Sequence, residues 1–204
     1  MKQPMRDRIL AAAVSVMRER GVTNTTTKEV ARAAGVAEGS IYNHFADKTE
    51  LIAASMSQVT GGMRQAVMTL FNRVGHGSLE ANLTEYAETA IDFYGDLLPI
   101  VGPAMGDHQI VDWLRSGGPV QGEGPAPGPV LGNAGLIGYL EAEQRAGRLP
   151  VDANPPFLAA LLLGACQQYA FLTLFTEPDA VAGLAKLPTD PATYARDVVR
   201  LLLP

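Results

Sequence analysis

The chain has 204 residues, of which 47% are hydrophobic, and a formal net charge of −5. That is enough chain for a buried core in one large or two small domains. The single cysteine, Cys166, excludes an internal disulfide framework and suits a reducing cytoplasm. It lies in an apolar run, where a buried, inert thiol is a better reading than a redox sensor. His44, His76 and His108 stand far apart with no metal-ligand spacing, so no metal is expected.

The first predicted helix carries Met5, Ile9, Ala12, Ala13, Val16 and Met17 on one face and closes near Gly21. Its charges at Asp7 and Arg8 argue against a signal peptide. The segment Thr25–Leu51 then reads TTTKEVARAAGVAEGSIYNHFADKTEL. Val30 and Ala31 give a short helix its buried face, and Gly35 suits the left-handed conformation of a sharp turn. Val36 and Ile41 pack a second short helix across the first, and Ala31, Gly35 and Ile41 have the spacing that a helix-turn-helix needs for close crossing. That second helix presents Glu38, Gly39, Ser40, Tyr42, Asn43 and His44, short and polar enough to face a DNA groove. Thr26 with Glu29, and Asp47 with Glu50, read as capping boxes for the first helix of this pair and for the helix that follows it. Caps, an alanine and a glycine also occur in ordinary helical domains; the added Tyr-x-His-Phe-x-x-Lys run, Tyr42 to Lys48, favours the DNA-reading interpretation.

The segment resembles the DNA-binding domain of the tetracycline-repressor (TetR) family. The family hallmark reads roughly T-x-x-x-[IV]-A-x-x-A-G-V-[ST]-x-G-[ST]-[IL]-Y-x-H-F-x-x-K-x-x-L. Here it is carried by Thr26, Val30, Ala31, Ala34, Gly35, Val36, Gly39, Ser40, Ile41, Tyr42, His44, Phe45, Lys48 and Leu51. The resemblance covers about residues 5 to 55. Ala37 departs from it, standing where the family has Ser or Thr, and gives up a helix cap worth about 0.5–2 kcal/mol. Glu38 departs too, standing where the family often has Lys, Arg or a neutral residue; an acidic side chain near phosphate repels unless it accepts a hydrogen bond from a cytosine amino group.

Charge divides with this segment. Residues 1–50 carry eight Lys or Arg against six Asp or Glu, and residues 51–204 carry eight against fifteen. The small positive excess sits with the head, so much of its DNA affinity must come from dimerisation and backbone amides.

Beyond Leu51 the pattern stays helical. Ile52, Met56, Val59, Met63, Val67 and Leu70 mark one face of a helix that Gly61 and Gly62 weaken in the middle. Gly75–Ser78 reads as a turn, with Ser78 capping a helix that runs to about Leu98. Pro99, Pro103 and Gly106 punctuate shorter helices up to Trp113 and Leu114. Ser116–Pro129 reads as a loop rather than a domain boundary. Helices over Val130–Ala146 and Pro155–Thr176 follow, then a last one over Ala192–Leu203. The Pro155–Thr176 segment is charge-free and long enough for a membrane span. Gln167 and Gln168 interrupt its centre and basic flanks are missing, so a helix buried on all sides in a bundle or dimer is the better reading. Ala159, Ala160, Gly164 and Ala165 on it allow close approach of a partner helix.

The expected fold is therefore all-α: a three-helix helix-turn-helix DNA-binding domain over 1–50, then a helical ligand-binding and dimerisation bundle over 51–204. The expected function is a ligand-responsive transcriptional regulator, most simply a cytoplasmic homodimeric repressor on a palindromic operator of double-stranded DNA. The candidate DNA-binding residues are Thr27, Lys28, Glu38, Gly39, Ser40, Tyr42, Asn43, His44 and Lys48. Of these, Thr27, Tyr42 and Lys48 are assigned to phosphates, and Glu38, Ser40 and Asn43 to base edges. Phe93, Tyr94, Met105, Trp113 and Phe171 are candidate contacts for a small apolar effector, with ordinary core packing as the competing reading for each. No cofactor and no membrane partner are expected. A constitutive DNA-binding protein without effector is the alternative. A helical enzyme is disfavoured, because no nucleophile–base pair, phosphate loop or catalytic carboxylate pair stands out.

Overall fold

A computed structural model describes residues 4–106 and 129–203, and among these the regular structure is helical, with no strand. The chain divides into two compact units, Met1–Gly61 with Asp96–Gly128, and Gly62–Gly95 with Pro129–Pro204.

In the first unit α1 spans Met5–Arg20, α2 Thr27–Ala34, α3 Glu38–Tyr42 and α4 Lys48–Val59. Two faces of α1 are buried. Ile9, Leu10, Ala12, Ala13 and Val16 join Val30, Ala31, Ala34, Ile41, Phe45 and Leu51 in one cluster. Val14 and Met17 turn the other way, to Val22, Ile52 and Ile100. Met5, expected on the buried face, is exposed at the fraying first turn.

The turn between α2 and α3 follows from Gly35. Its φ of 65° and ψ of 39° are left-handed, and the Val36 amide donates to the Ala31 carbonyl at 3.0 Å. That bond and the one from Gly35 N to Arg32 O, 3.2 Å, close the helix end and reverse the chain. From α1, the Arg8 guanidinium donates to the last α2 carbonyl, that of Ala34, at 2.6 Å. Thr26 Oγ1 accepts from Glu29 N at the other end of α2, and Glu29 pairs with Arg20 at 2.5 Å. The second capping box closes one residue early. Asp47 Oδ1 accepts from Glu50 N at 2.8 Å, but the Glu50 carboxylate returns to the Ala46 amide, 2.6 Å away, rather than to Asp47.

The face predicted as one helix from Leu51 is two helices, α4 and then α5 over Gly61–Asn72, with Thr60 between them. Paired glycines at 61 and 62 make continuation costly, so the weak point becomes a break. Pro99 does not end its helix: α6 runs Leu79–Val101 with Pro99 inside, near its C-terminal end, and a 3₁₀ turn follows over Gly102–Gly106. The unit boundary falls within α6, between Gly95 and Asp96.

In the second unit α7 spans Pro129–Arg145, α8 Pro155–Phe175 and α9 Pro191–Leu202. Helix α5 meets α7 through a row of glycines. A Cβ on Gly132, Gly135 or Gly138 would lie 3.4, 2.6 and 3.1 Å from Met63, Val67 and Phe71 respectively. The knobs recur every four residues and the glycines every three, so one ridge fits one groove. A polar node closes the end of α7. Glu143 is fully buried and pairs with Arg148 at 2.8 Å, while its carboxylate accepts from the Gly75 amide at 3.3 Å. Asn82 Nδ2 donates to the His76 carbonyl and to the Tyr139 hydroxyl, each at 3.1 Å. Burial, the largest effect, raises the Tyr139 phenol pKa, and the nearby Glu143 adds to the rise.

Within this single chain helix α8 is buried on one side only, where the expectation was burial on all sides in a bundle or dimer. Ala159, Leu162, Leu163, Cys166, Tyr169 and Ala170 are buried, but the opposite face shows Phe157 at 69% and Phe175 at 74% exposure, with Leu161, Phe171 and Leu174 also exposed. Among the described residues it is the one helix long and apolar enough to cross a membrane. Cys166 lies on the buried face, where loss of hydration pushes its thiol pKa up to about 12 and keeps it protonated.

The α5–α7 contact sets a sign test. Replacing an ordinary helical glycine with alanine stabilises a helix, whereas Gly135→Ala drives a methyl into β-branched Val67. We expect Gly135→Ala to lower stability by about 1–3 kcal/mol in denaturant unfolding. A gain in stability would break the close-packing account.

Candidate nucleic-acid interface

Helix α3 has five residues, too few to be stable alone. Its N-cap, Ala37, is extended at φ −69° and ψ 145° and offers no side-chain cap, as its methyl requires. What holds α3 is Ile41, fully buried in the α1–α2–α4 cluster. Phe45, just beyond α3, is buried beside it, and the Arg6 guanidinium of α1 lies 5.0 Å above its ring.

With Ile41 inward, the polar residues of α3 point out. Glu38, Gly39, Tyr42, Asn43 and His44 are exposed and Ser40 is half-buried. A Cβ at Gly39 would meet nothing within 4 Å, so the helix surface there is flat and open to close approach. Lys28, at the start of α2, and Lys48, at the start of α4, are exposed on either side of α3 in the chain.

Thr27 joins the two helices of the motif through its side chain. Thr27 Oγ1 donates to Glu38 Oε1 at 2.6 Å. The Tyr42 hydroxyl lies 3.5 Å from the same Thr27 oxygen. Thr27 and Glu38 are the first residues of α2 and α3, a correspondence visible in the sequence only once both caps are placed. In this structure the Thr27 hydroxyl proton goes to Glu38.

The candidate effector contacts are scattered. Phe93 is half-buried and Tyr94 buried on α6, with ring centroids 5.3 Å apart. Burial, with Cys166 nearby, raises the Tyr94 phenol pKa. Met105 is 74% exposed on the 3₁₀ turn of the other unit. Phe171 is on the outward face of α8, 4.8 Å from Phe175 by ring centroid. Trp113, Leu114, His108 and the 116–128 segment lie outside the described residues.

A buried helix, a left-handed glycine turn and a short helix with an exposed polar face together define a helix-turn-helix DNA-binding domain. Residues 9–55 match the family model of "Bacterial regulatory proteins, tetR family", and this domain is that of the tetR family. The HTH-type transcriptional regulator BetI of Cronobacter sakazakii is 34% identical over 91 residues, 44% of this chain and 45% of the relative. A BetI of Escherichia coli is 30% identical over 92 residues, 45% of this chain and 47% of the relative. The chain thus matches less than half the length of these curated relatives. Solved structures resemble it over nearly its whole length at low identity. Salmonella enterica GusR shares 22% identity with a TM-score of 0.64, covering 100% of this chain and 98% of that one. The FadR regulator of Bacillus subtilis, solved in complex with stearoyl-CoA, shares 19% with a TM-score of 0.56 over 97% of each chain. These likenesses extend the shared fold through the second unit.

The missing cap yields a direct check. Ala37→Ser supplies an acceptor for the first amides of α3, and we expect the head to gain about 0.5–2 kcal/mol in thermal unfolding. No gain would mean that α3 geometry does not present those amides to a cap.

Proposed function

We propose that this chain is a dimeric, ligand-responsive transcriptional regulator, a repressor that a small apolar molecule releases from its operator, and not an enzyme. The observation that carries the DNA-binding part is α3: one buried anchor, Ile41, and a polar exposed face between exposed Lys28 and Lys48. Lys48 and the Tyr42 hydroxyl serve phosphates, and Asn43, Ser40 and Glu38 meet base edges in the major groove.

The dimer reading is supported by α8. Phe157, Leu161, Gly164, Gln168, Phe171 and Phe175 recur at three- and four-residue steps along its outward face, the spacing of a helix–helix seam. An exposed apolar stripe of that size on a protein of this composition calls for a partner, and a second copy satisfies it by two-fold symmetry. Two heads then require a palindromic site with half-sites about one helical turn, or a multiple of it, apart.

For the effector, the second unit is a mostly apolar helical body with aromatics at Phe93 and Tyr94, a setting for an apolar ligand rather than a phosphorylated one alone. The acyl-CoA bound by the B. subtilis FadR neighbour contains such an apolar chain. Helix α6 begins in one unit and ends in the other, where Ile100 is buried with Val14, Met17, Val22 and Ile52. A ligand-driven shift of α6 would act on the helices that set the spacing of the two heads. A cytoplasmic location goes with this reading.

Lys48→Ala should weaken binding to operator and non-operator duplexes alike and reduce the salt slope by about one phosphate contact. Footprinting on DNA flanking the gene, followed by affinity against salt, measures both. Unchanged affinity at physiological salt would remove Lys48 from the interface. Gly164→Glu should place an unpaired charge in the seam and yield monomer at micromolar concentration in sedimentation. Wild-type protein that is itself monomeric there would overturn the dimer. Reciprocity tests the effector: a compound that releases DNA must bind more weakly when operator is present.

A further inference from the structure

We propose that Glu38 reads the exocyclic amino group of a cytosine, and that Thr27 is the positioning residue that aims it. This rests on the DNA-binding reading above and names the base chemistry of that site. Glu38 is the first residue of α3, the end that enters a major groove first, and it is exposed. A long flexible acid at that place costs repulsion from phosphate wherever it swings. Here one of its oxygens is tied. Thr27 Oγ1 donates to its Oε1 at 2.6 Å, from the first turn of α2. Helix α2 is itself held at both ends, by Thr26 with Glu29 and by Arg8 on the Ala34 carbonyl. The carboxylate therefore sits on a fixed mount, with Oε2 taking no hydrogen bond among the described residues.

An ionised carboxylate is acceptor-only. Opposite guanine O6 and N7, or thymine O4, it meets lone pairs and is repelled. Adenine offers its N6 amino group beside the N7 acceptor, which opposes the second carboxylate oxygen. Cytosine offers the N4 amino group with a C–H beside it, so attraction is unopposed. With Oε1 already accepting from Thr27, a base donor engages the other oxygen. The same bond spends the Thr27 proton, so in the 3.5 Å contact between the two hydroxyls Tyr42 is the donor.

The full-length protein is used to select sites from a randomised duplex library. Affinities are then measured on the selected duplex and on its variants at each base pair, against salt. We expect wild type to prefer cytosine at one position per half-site by roughly fivefold to a hundredfold. Glu38→Ala should flatten that position alone. Thr27→Val, which keeps shape and loses the hydroxyl, should erode the same preference without changing the salt slope, and Thr27→Ser should restore it. If Glu38→Ala still selects the same sequence, Glu38 reads no base and the proposal falls. If Thr27→Val keeps the cytosine preference but lowers the salt slope by about one, Thr27 is a phosphate contact and not a mount. Selection of adenine, or of no base, opposite Glu38 overturns the base assignment while leaving the regulator reading intact. Wild type that enriches no sequence at all defeats that reading, and this proposal with it.

Discussion

The DNA-reading surface depends on the burial of one side chain. Helix α3 is five residues long, lacks a capping side chain and has only Ile41 inside. Burial of an isoleucine contributes about 1.5–3 kcal/mol, and here it also fixes the rotation of α3 about its axis. With Ile41 inward, the exposed positions are decided. Gly35 makes this possible by turning the chain within two residues through a left-handed conformation that a side chain would strain. Arg8 and the cluster around Ile9 and Ala13 hold the other side.

Electrostatics in the head look weak by count and less so by position. Glu29 is occupied by Arg20 and the Thr26 hydroxyl, Glu50 by the Ala46 amide, and Glu38 by Thr27. Among the cations, Arg18 pairs with Asp96, Arg8 is spent on the Ala34 carbonyl and Arg6 lies over Phe45. Lys28, Arg32 and Lys48 carry no such contact among the described residues, and all are exposed. The cations without an internal partner thus lie on the motif helices or at the start of the next one. Exposed pairs contribute little to stability.

The second unit shows how composition can mislead about burial. Helix α8 is uniformly apolar because two different demands fall on its two sides. Leu162, Cys166 and Tyr169 fill the unit's own core, while Phe157, Phe171 and Phe175 face outward. At the other end of the unit, Glu143 is buried in a body whose sequence gave little reason to expect a buried charge. Arg148, five residues on, and the Gly75 amide compensate it.

Local chemistry made the head legible in the sequence. The Thr26 and Asp47 caps, the left-handed Gly35, the buried spacing of Val30, Ala31 and Ile41, and the missing cap at Ala37 each depend on residues within a few positions of one another. The helical character of the body was legible for the same reason. Contacts that join distant residues were not. The Thr27–Glu38 bond, the clamp of Arg8 on Ala34, the glycine row of α7 against Met63, Val67 and Phe71, and the Glu143–Gly75 link all need packed helices before they exist. Periodicity reports that a residue prefers burial, not which neighbour buries it. So the sequence alone determined which residues turn, cap and anchor the DNA-reading motif. Tertiary packing decided which apolar face stays exposed on α8 and which hydroxyl holds Glu38 in place.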